Sequence, residues 1–332
     1  MEIYYPEYYN TFRCIAAACP DSCCKEWEVD VDPASARFYR TLPGALGDRL
    51  RQVLQRNEDG ASMRIENGRC PMWRQDGLCR IQAELGHDAL CQTCREFPRI
   101  RHDYGTFVEQ GLELSCPEAA RLILNCENSS MQSTTQPGGD DADYDMETMD
   151  ILRKSRVEVL TLLDNSPYTL PETLAVMLLH SHFVQDVIDG GEAFPFSPEQ
   201  LLTQAKSFPK TNNTAALFAF FSQLEILTDQ WKTRLFSVPE AIRWTPQLKA
   251  LARYLIQRYW LQAVSDFDLV CRAKFVVAAC ILVATLGGDT LQTAQLFSKE
   301  IENNPDNLDA ILDGAYTSPA LTDANLFGIL LS

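Results

Sequence analysis

The stretch CIAAACPDSCCKEW, Cys14 to Trp27, places four cysteines within eleven residues, two of them adjacent. Working outward, the chain continues with Cys70-x8-Cys79, then Cys91-x2-Cys94, then Cys116, so nine of its twelve cysteines fall in the first 116 residues. Cysteines at this density staple a secreted domain, hold a metal or present reactive thiols. A disulfide framework fits poorly. The opening MEIYYPEYYNTF carries neither a basic n-region nor an apolar h-region, which predicts a cytoplasmic protein whose thiols stay reduced. A bridge between the neighbours Cys23 and Cys24 would also be strained.

Metal binding suits the pattern better. Short spacings let two thiolates reach one ion from a single turn, and distant partners close the site as the chain folds over it. Zinc needs four thiolates or a thiolate–imidazole mixture. The four histidines offer little: His180 and His182 are two apart on a predicted helix and face different ways, while His87 and His102 stand alone as surface or satisfied residues. An iron–sulfur cluster also takes thiolates, and three of them leave one iron open. The Cys-x3-Cys-x2-Cys loop of radical enzymes is absent; the nearest approach is Cys19-x3-Cys23 followed at once by Cys24. Spacing leaves zinc and iron–sulfur both open. More than four clustered thiols imply two sites, or one site and a reactive thiol such as Cys116, whose thiolate a helix start would favour.

The remainder sets the frame. The chain has 332 residues, 46% hydrophobic, enough to bury a large core. Its net charge is −16, and residues 122–150 contribute seven acidic and no basic side chains. That balance argues against nucleic acid, whose phosphates require clustered Lys and Arg. The longest apolar run, Phe275 to Leu286, stops at Gly287-Gly288; twelve residues make a buried core helix and not a membrane span. Cys280 lies in that run and Cys271 four residues before it on the same expected helix, and both read as buried apolar residues.

The organisation expected is mainly α: an irregular, metal-stapled cysteine domain over 1–125, an acidic linker or loop over 126–150, and a helical domain over 151–332. Asp32-Pro33 predicts an N-cap and first helical residue, opening a helix through Phe38 and Tyr39. Ser115 and Glu118 predict a capping box with Cys116 in the first turn. METMDILRKSRVEVLTLLDN has helical periodicity, LPETLAVMLLHSHFVQDVIDGG starts with Pro171 near its first turn and stops at Gly190, and Leu248, Leu251, Ala252, Leu255 and Tyr259 share one helix face.

The ordered set FRCIAAACPDSCCKEWEVDVD, CPMWRQDGLCRIQAELGHDALCQTCREFPR and LELSCPEAARLIL resembles the flagellin lysine-N-methylase family, and the helical stretch YLIQRYWLQAVSDFDLVCRAKFVVAACILVATL is similar to that family's C-terminal part. The GLCRIQ…TCREFPR portion also resembles a broader group of zinc- or iron-binding cysteine-cluster proteins. The first resemblance implies transfer of methyl groups from S-adenosylmethionine to flagellin lysines, with a [4Fe-4S] cluster, zinc being the alternative metal. The positions that match its cysteine pattern are Cys14, Cys19, Cys23, Cys24, Cys70, Cys79, Cys94 and Cys116. Cys91 stands where the family commonly carries serine and is left out.

No strand followed by a glycine-rich turn is visible, so the usual methyltransferase cofactor fold is not expected. With an open iron to chelate the methionine amino and carboxylate groups, Arg95 or Arg99 would pair with that carboxylate. Glu26, Asp30, Glu96 and Glu113 are candidate proton acceptors for the lysine, and Trp27, Trp73 and Phe97 candidate aromatic walls. Two other readings remain at this stage: a non-enzymatic metal-stapled module that docks a protein partner, and an electron-transfer protein with a closed ligand set.

Overall fold

The computed structural model describes residues 1–24, 29–56, 60–128, 130–209, 211, 213–237 and 241–332. Glu26 and Trp27 lie outside the described residues. The chain forms two compact units. One comprises Phe12–Ile100 with Cys116–Ala119; the other comprises Met1–Thr11, Arg101–Ser115 and Ala120–Ser332. These units do not follow the expected boundaries at 125 and 150, because the N-terminal strand and the segment after residue 126 belong to the helical unit.

That unit is mainly α, as its periodicity predicts. Its long helices are Met146–Asn165, Leu170–Ile188, Pro246–Tyr259 and Val270–Leu286. Thr169 closes the expected start of the second: its side chain accepts from the Glu172 amide while Glu172 accepts from the Thr169 amide, a complete capping box. Val270–Leu286 is apolar all round and therefore has to be surrounded. It packs against the helices Leu170–Ile188, Thr214–Phe221, Pro246–Tyr259, Thr290–Phe297, Pro305–Thr317 and Asp323–Leu330. Cys280 is fully buried there and Cys271 nearly so, as expected of apolar residues. Gly287, at φ 67°, ends the helix in a conformation that side chains disfavour. No helix among the described residues is long and apolar enough to cross a membrane.

The helical unit also carries a sheet that the expectation lacked. Strands β1 (Glu2–Pro6), β5 (Arg99–Asp103), β6 (Phe107–Leu112) and β7 (Met131–Thr135) join in the order β5-β6-β1-β7. β1 runs parallel to β6, with Ile3 opposite Val108, and antiparallel to β7, with Tyr4 opposite Ser133. The stretch read as a linker thus contains a sheet strand. Its polar sequence MQSTT is mostly exposed on both faces, so no alternation marks it.

The cysteine-rich unit is less irregular than expected. β2 (Val29–Val31), β4 (Ala61–Met63) and β3 (Leu54–Gln55) form a small antiparallel sheet in that order. Helices Pro33–Thr41 and Gly44–Val53 lie beside it in sequence, and the short helices Arg80–Leu85 and Gln92–Glu96 follow. Asp32 caps the first helix through Ser35, with Pro33 at its first position, as the sequence predicts. The unit's core joins Val29, Val31, Tyr39, Leu50, Met63 and Met72 to Cys70 and Cys91, with Cys24, Cys79 and Cys94 packed against it. Its interior is a hydrophobic core with thiols set into the wall.

Candidate functional site: a thiol-lined pocket

Three backbone turns bring the thiols together. The Cys70 amide donates to the Cys24 carbonyl at 2.8 Å, pinning the N-terminal cysteine loop to the middle of the unit. From Cys70 the chain doubles back: Trp73 pairs with Cys79 across a bridge, and the Arg80 amide donates to the Met72 carbonyl at 2.7 Å. The Arg49 guanidinium holds this turn with two bonds to the Pro71 carbonyl, 3.1 and 2.8 Å long. Cys79 then stands at the N-cap of Arg80–Leu85 and Cys91 at the N-cap of Gln92–Glu96, which puts Cys94 one turn on.

Asp32 ties the last helix to the first. One carboxylate oxygen accepts from the Ser35 amide and the other from the Gln92 amide, each at 2.9 Å. Although partial burial pushes its carboxyl up, these bonds and one from the Ala34 amide hold it at about 2.

The pocket that results is lined by six thiols, Cys23, Cys24, Cys70, Cys79, Cys91 and Cys94. Val29, Tyr39, Met63, Met72, Ile81 and Leu90 complete the wall, and the space measures about 340 Å³ with its open mouth included. Tyr39 lines the pocket and donates its hydroxyl to the Ala89 carbonyl at 2.7 Å. The thiols hydrogen-bond to one another. Cys24 engages both Cys23 and Cys79, and Cys91 pairs with Cys94. Its bond from Cys24 holds the Cys79 thiol down to about 6 against burial, with help from the Gln82 and Ile81 amides. Cys24 and Cys94, which donate in these pairs, are pushed up. Cys70 rises to about 11, chiefly through burial.

Five of the eight expected ligands therefore share one wall: Cys23, Cys24, Cys70, Cys79 and Cys94. Cys14, Cys19 and Cys116 do not line it. Cys14 is exposed. Cys19 donates to the Asp21 carbonyl at 3.0 Å. Cys116 directly precedes the helix Pro117–Leu124, and the amides of Ala119 and Glu118 reach its sulfur. Burial outweighs those bonds and raises the thiol to about 12, the reverse of the activation expected for a thiol at a helix start. Cys116 also takes the capping position expected of Ser115, whose hydroxyl turns instead to Glu113 at 3.3 Å. The sixth thiol, Cys91, is 2% exposed and lies outside the cysteine set that the resemblance implies; its Cys-x2-Cys spacing to Cys94 is the sequence signal for it.

Arg95 and Arg99 are exposed and line none of the pocket; Arg99 lies over the Phe12 ring at 5.2 Å. Glu96 is exposed and accepts from Gln92 at 3.0 Å, and Asp30 is exposed on β2. Glu113 belongs to the helical unit, where burial raises its carboxyl. Trp73 carries the Arg69 guanidinium 4.0 Å from its ring, while its buried indole N–H has no hydrogen-bond partner among the described residues. Phe97 is half-buried and lines none of the pocket. Of the histidines, His87 is exposed, His180 is buried against Glu158 at 3.1 Å, and His182 faces Asp323 at 3.2 Å, so the two on one helix do diverge. His102 is half-buried and its Nε2 has no hydrogen-bond partner among the described residues, so it is neither the surface nor the satisfied residue expected.

Six thiols, with the rest of the described lining mostly apolar, are soft donors. They fit zinc or an iron–sulfur cluster in kind and number, and offer nothing to magnesium or calcium. Among the described residues, no group of three or more His, Cys, Asp or Glu is arranged to hold a metal ion.

A mainly α chain with a cysteine-walled pocket thus has its distinguishing chemistry in its N-terminal unit. The chain is 34% identical over 127 residues to the flagellar biosynthetic protein FliU of Salmonella muenchen, a match covering 36% of this chain and 75% of that protein. It is likewise 34% identical to the lysine-N-methylase of Salmonella typhimurium and 33% identical to that of Salmonella choleraesuis, in each case over 36% of this chain and 32% of the relative. The chain belongs to the flagellin lysine-N-methylase family. It matches about a third of the length of the two lysine-N-methylases. No family model and no solved structure matches it.

Proposed function

We propose that the protein is an S-adenosylmethionine-dependent lysine N-methyltransferase, acting on flagellin or another surface protein with accessible lysines, and that its thiol pocket binds a [4Fe-4S] cluster. The observation that carries this reading is the convergence of six thiols on one apolar-walled pocket in a chain whose relatives are named lysine-N-methylases. Three thiols of the set Cys24, Cys70, Cys79 and Cys94 would hold the cluster, and the iron left without a thiolate would supply a Lewis acid for the methionine amino and carboxylate groups. Zinc is the alternative metal for the same donors.

The transfer itself is an in-line displacement. The lone pair of a neutral lysine amine forms the new N–C bond to the sulfonium methyl while the S–C bond breaks, its electron pair leaving on a neutral thioether sulfur. The ammonium proton has to be lost, and no carboxylate lines the pocket among the described residues, so the pocket's contribution is an apolar, water-poor wall. Low polarity disfavours the ammonium and so favours the reactive amine.

The test is anaerobic purification after iron-replete expression, followed by labelled S-adenosylmethionine with flagellin. A brown protein absorbing broadly near about 400 nm, with label on lysine, is the expected outcome. A colourless protein that transfers no label after reconstitution refutes the reading. The second reading is a non-enzymatic metal-stapled docking module. That module would bind metal and a protein partner without methylating it.

A further inference from the structure

Cys91 is the thiol that the family pattern passes over and, of the six that line the pocket, the one the fold buries most. It is 2% exposed, against 6% for Cys70, while Cys24, Cys79 and Cys94 are only half-buried. It stands at the N-cap of Gln92–Glu96, so Cys94 follows three residues on, one turn along the same face. Both sulfurs bond to each other and both line the pocket. Two thiols at this spacing form the two-pronged arm that recurs in thiolate metal sites.

An inert buried cysteine looks different, and this chain contains one. Cys280 is fully buried in an apolar helix, lines no thiol pocket and has burial alone acting on it. Cys91 has Cys94 as a direct partner, with Cys70 and Cys79 close enough to act on it or be acted on electrostatically. The Gln92 amide next to it is anchored by Asp32, which fixes where the arm starts.

We propose that Cys91 is a metal-binding thiol in this protein, paired with Cys94 as one arm of a site completed from Cys24, Cys70 and Cys79, and that Cys14, Cys19 and Cys116 lie outside its ligand set. This rests on the reading of the pocket as a soft-metal site.

The experiment compares the wild-type full chain with Cys91→Ser and Cys14→Ser. Each is reconstituted with ferrous iron and sulfide, and separately with zinc alone, then assayed for metal per chain and for visible absorbance. Cys91→Ser should lose at least half of its bound metal or change its spectrum, while Cys14→Ser matches wild type. A Cys91→Ser chain with wild-type metal content and an unchanged spectrum overturns the proposal, as does loss of metal from Cys14→Ser alone. A wild-type chain that takes up neither metal overturns the underlying reading, and the proposal with it. Should Cys91→Ser fail to fold, alkylation of the wild-type chain decides: metal should protect Cys91 and Cys94 until a chelator is added, with Cys14 reactive throughout. Equal labelling of Cys91 with and without metal overturns the proposal.

Discussion

Replacing Asp32 should loosen the thiol pocket from a distance, because one carboxylate caps two helices. In Asp32→Ala the Ser35 and Gln92 amides both lose their acceptors. An N-cap contributes about 0.5–2 kcal/mol, so losing two such bonds predicts a destabilisation of about 2 kcal/mol. The proton linkage gives a second estimate. The Asp32 carboxyl is held at about 2 against an ordinary 3.8, and each unit is worth about 1.4 kcal/mol. With a discount for its partial exposure, that amounts to about 1–2 kcal/mol. The carboxyl is depressed on folding, so this stabilisation is complete above about pH 4 and disappears as the pH falls through about 2. Urea unfolding followed by circular dichroism, at pH 7 and again near pH 2.5, measures the difference between wild type and variant. Hydrogen exchange over residues 90–98 reports whether the Cys91–Cys94 turn opens first. A difference below about 0.5 kcal/mol at pH 7, less than one cap is worth, would refute the two-cap argument. So would a difference of equal size at both pH values.

Tyr39→Phe leaves the Ala89 carbonyl without its 2.7 Å donor and should cost about 1–2 kcal/mol in the same urea assay, with little change in the pocket wall. Burial lowers His180 to about 4 from 6.5, so the unfolded chain takes up its proton first as the pH falls. Stability from this residue is therefore complete above about 6.5 and declines toward 4, and His180→Gln should flatten the slope of unfolding free energy against pH in that window by up to one proton. An unchanged slope would count against a buried neutral imidazole. Arg253 is 4% exposed and bonds Asp164, the Cys126 carbonyl and the Glu127 carbonyl. Arg253→Met strands a half-buried carboxylate and two carbonyls, and should destabilise the helical unit by about 3–5 kcal/mol in thermal or urea unfolding.

Much of the chain was legible without a structure, wherever the signal is local. Asp32-Pro33 and Pro171 announce their helices because a cap or a first-turn proline acts within four residues of the helix start. The run ending at Gly287 declares a surrounded helix because no polar face interrupts it. The cysteine spacing is compatible with soft-metal chemistry because short spacings let two thiolates reach one ion, and five of the eight cysteines it singles out line one pocket. What required tertiary structure are the pairings across long stretches of chain. β1 takes its partners from residues 107–109 and 131–135, and nothing in MQSTT marks a strand whose other half begins at Glu2. Membership of the pocket is of the same kind. A hydrogen bond from Cys70 to Cys24 and another from Gln92 to Asp32 decide which thiols meet, selecting Cys91 and leaving out Cys14, Cys19 and Cys116. Spacing along a chain determines what chemistry a cysteine can do, but convergence in space depends on turns and cross-chain hydrogen bonds whose partners are dozens of residues apart.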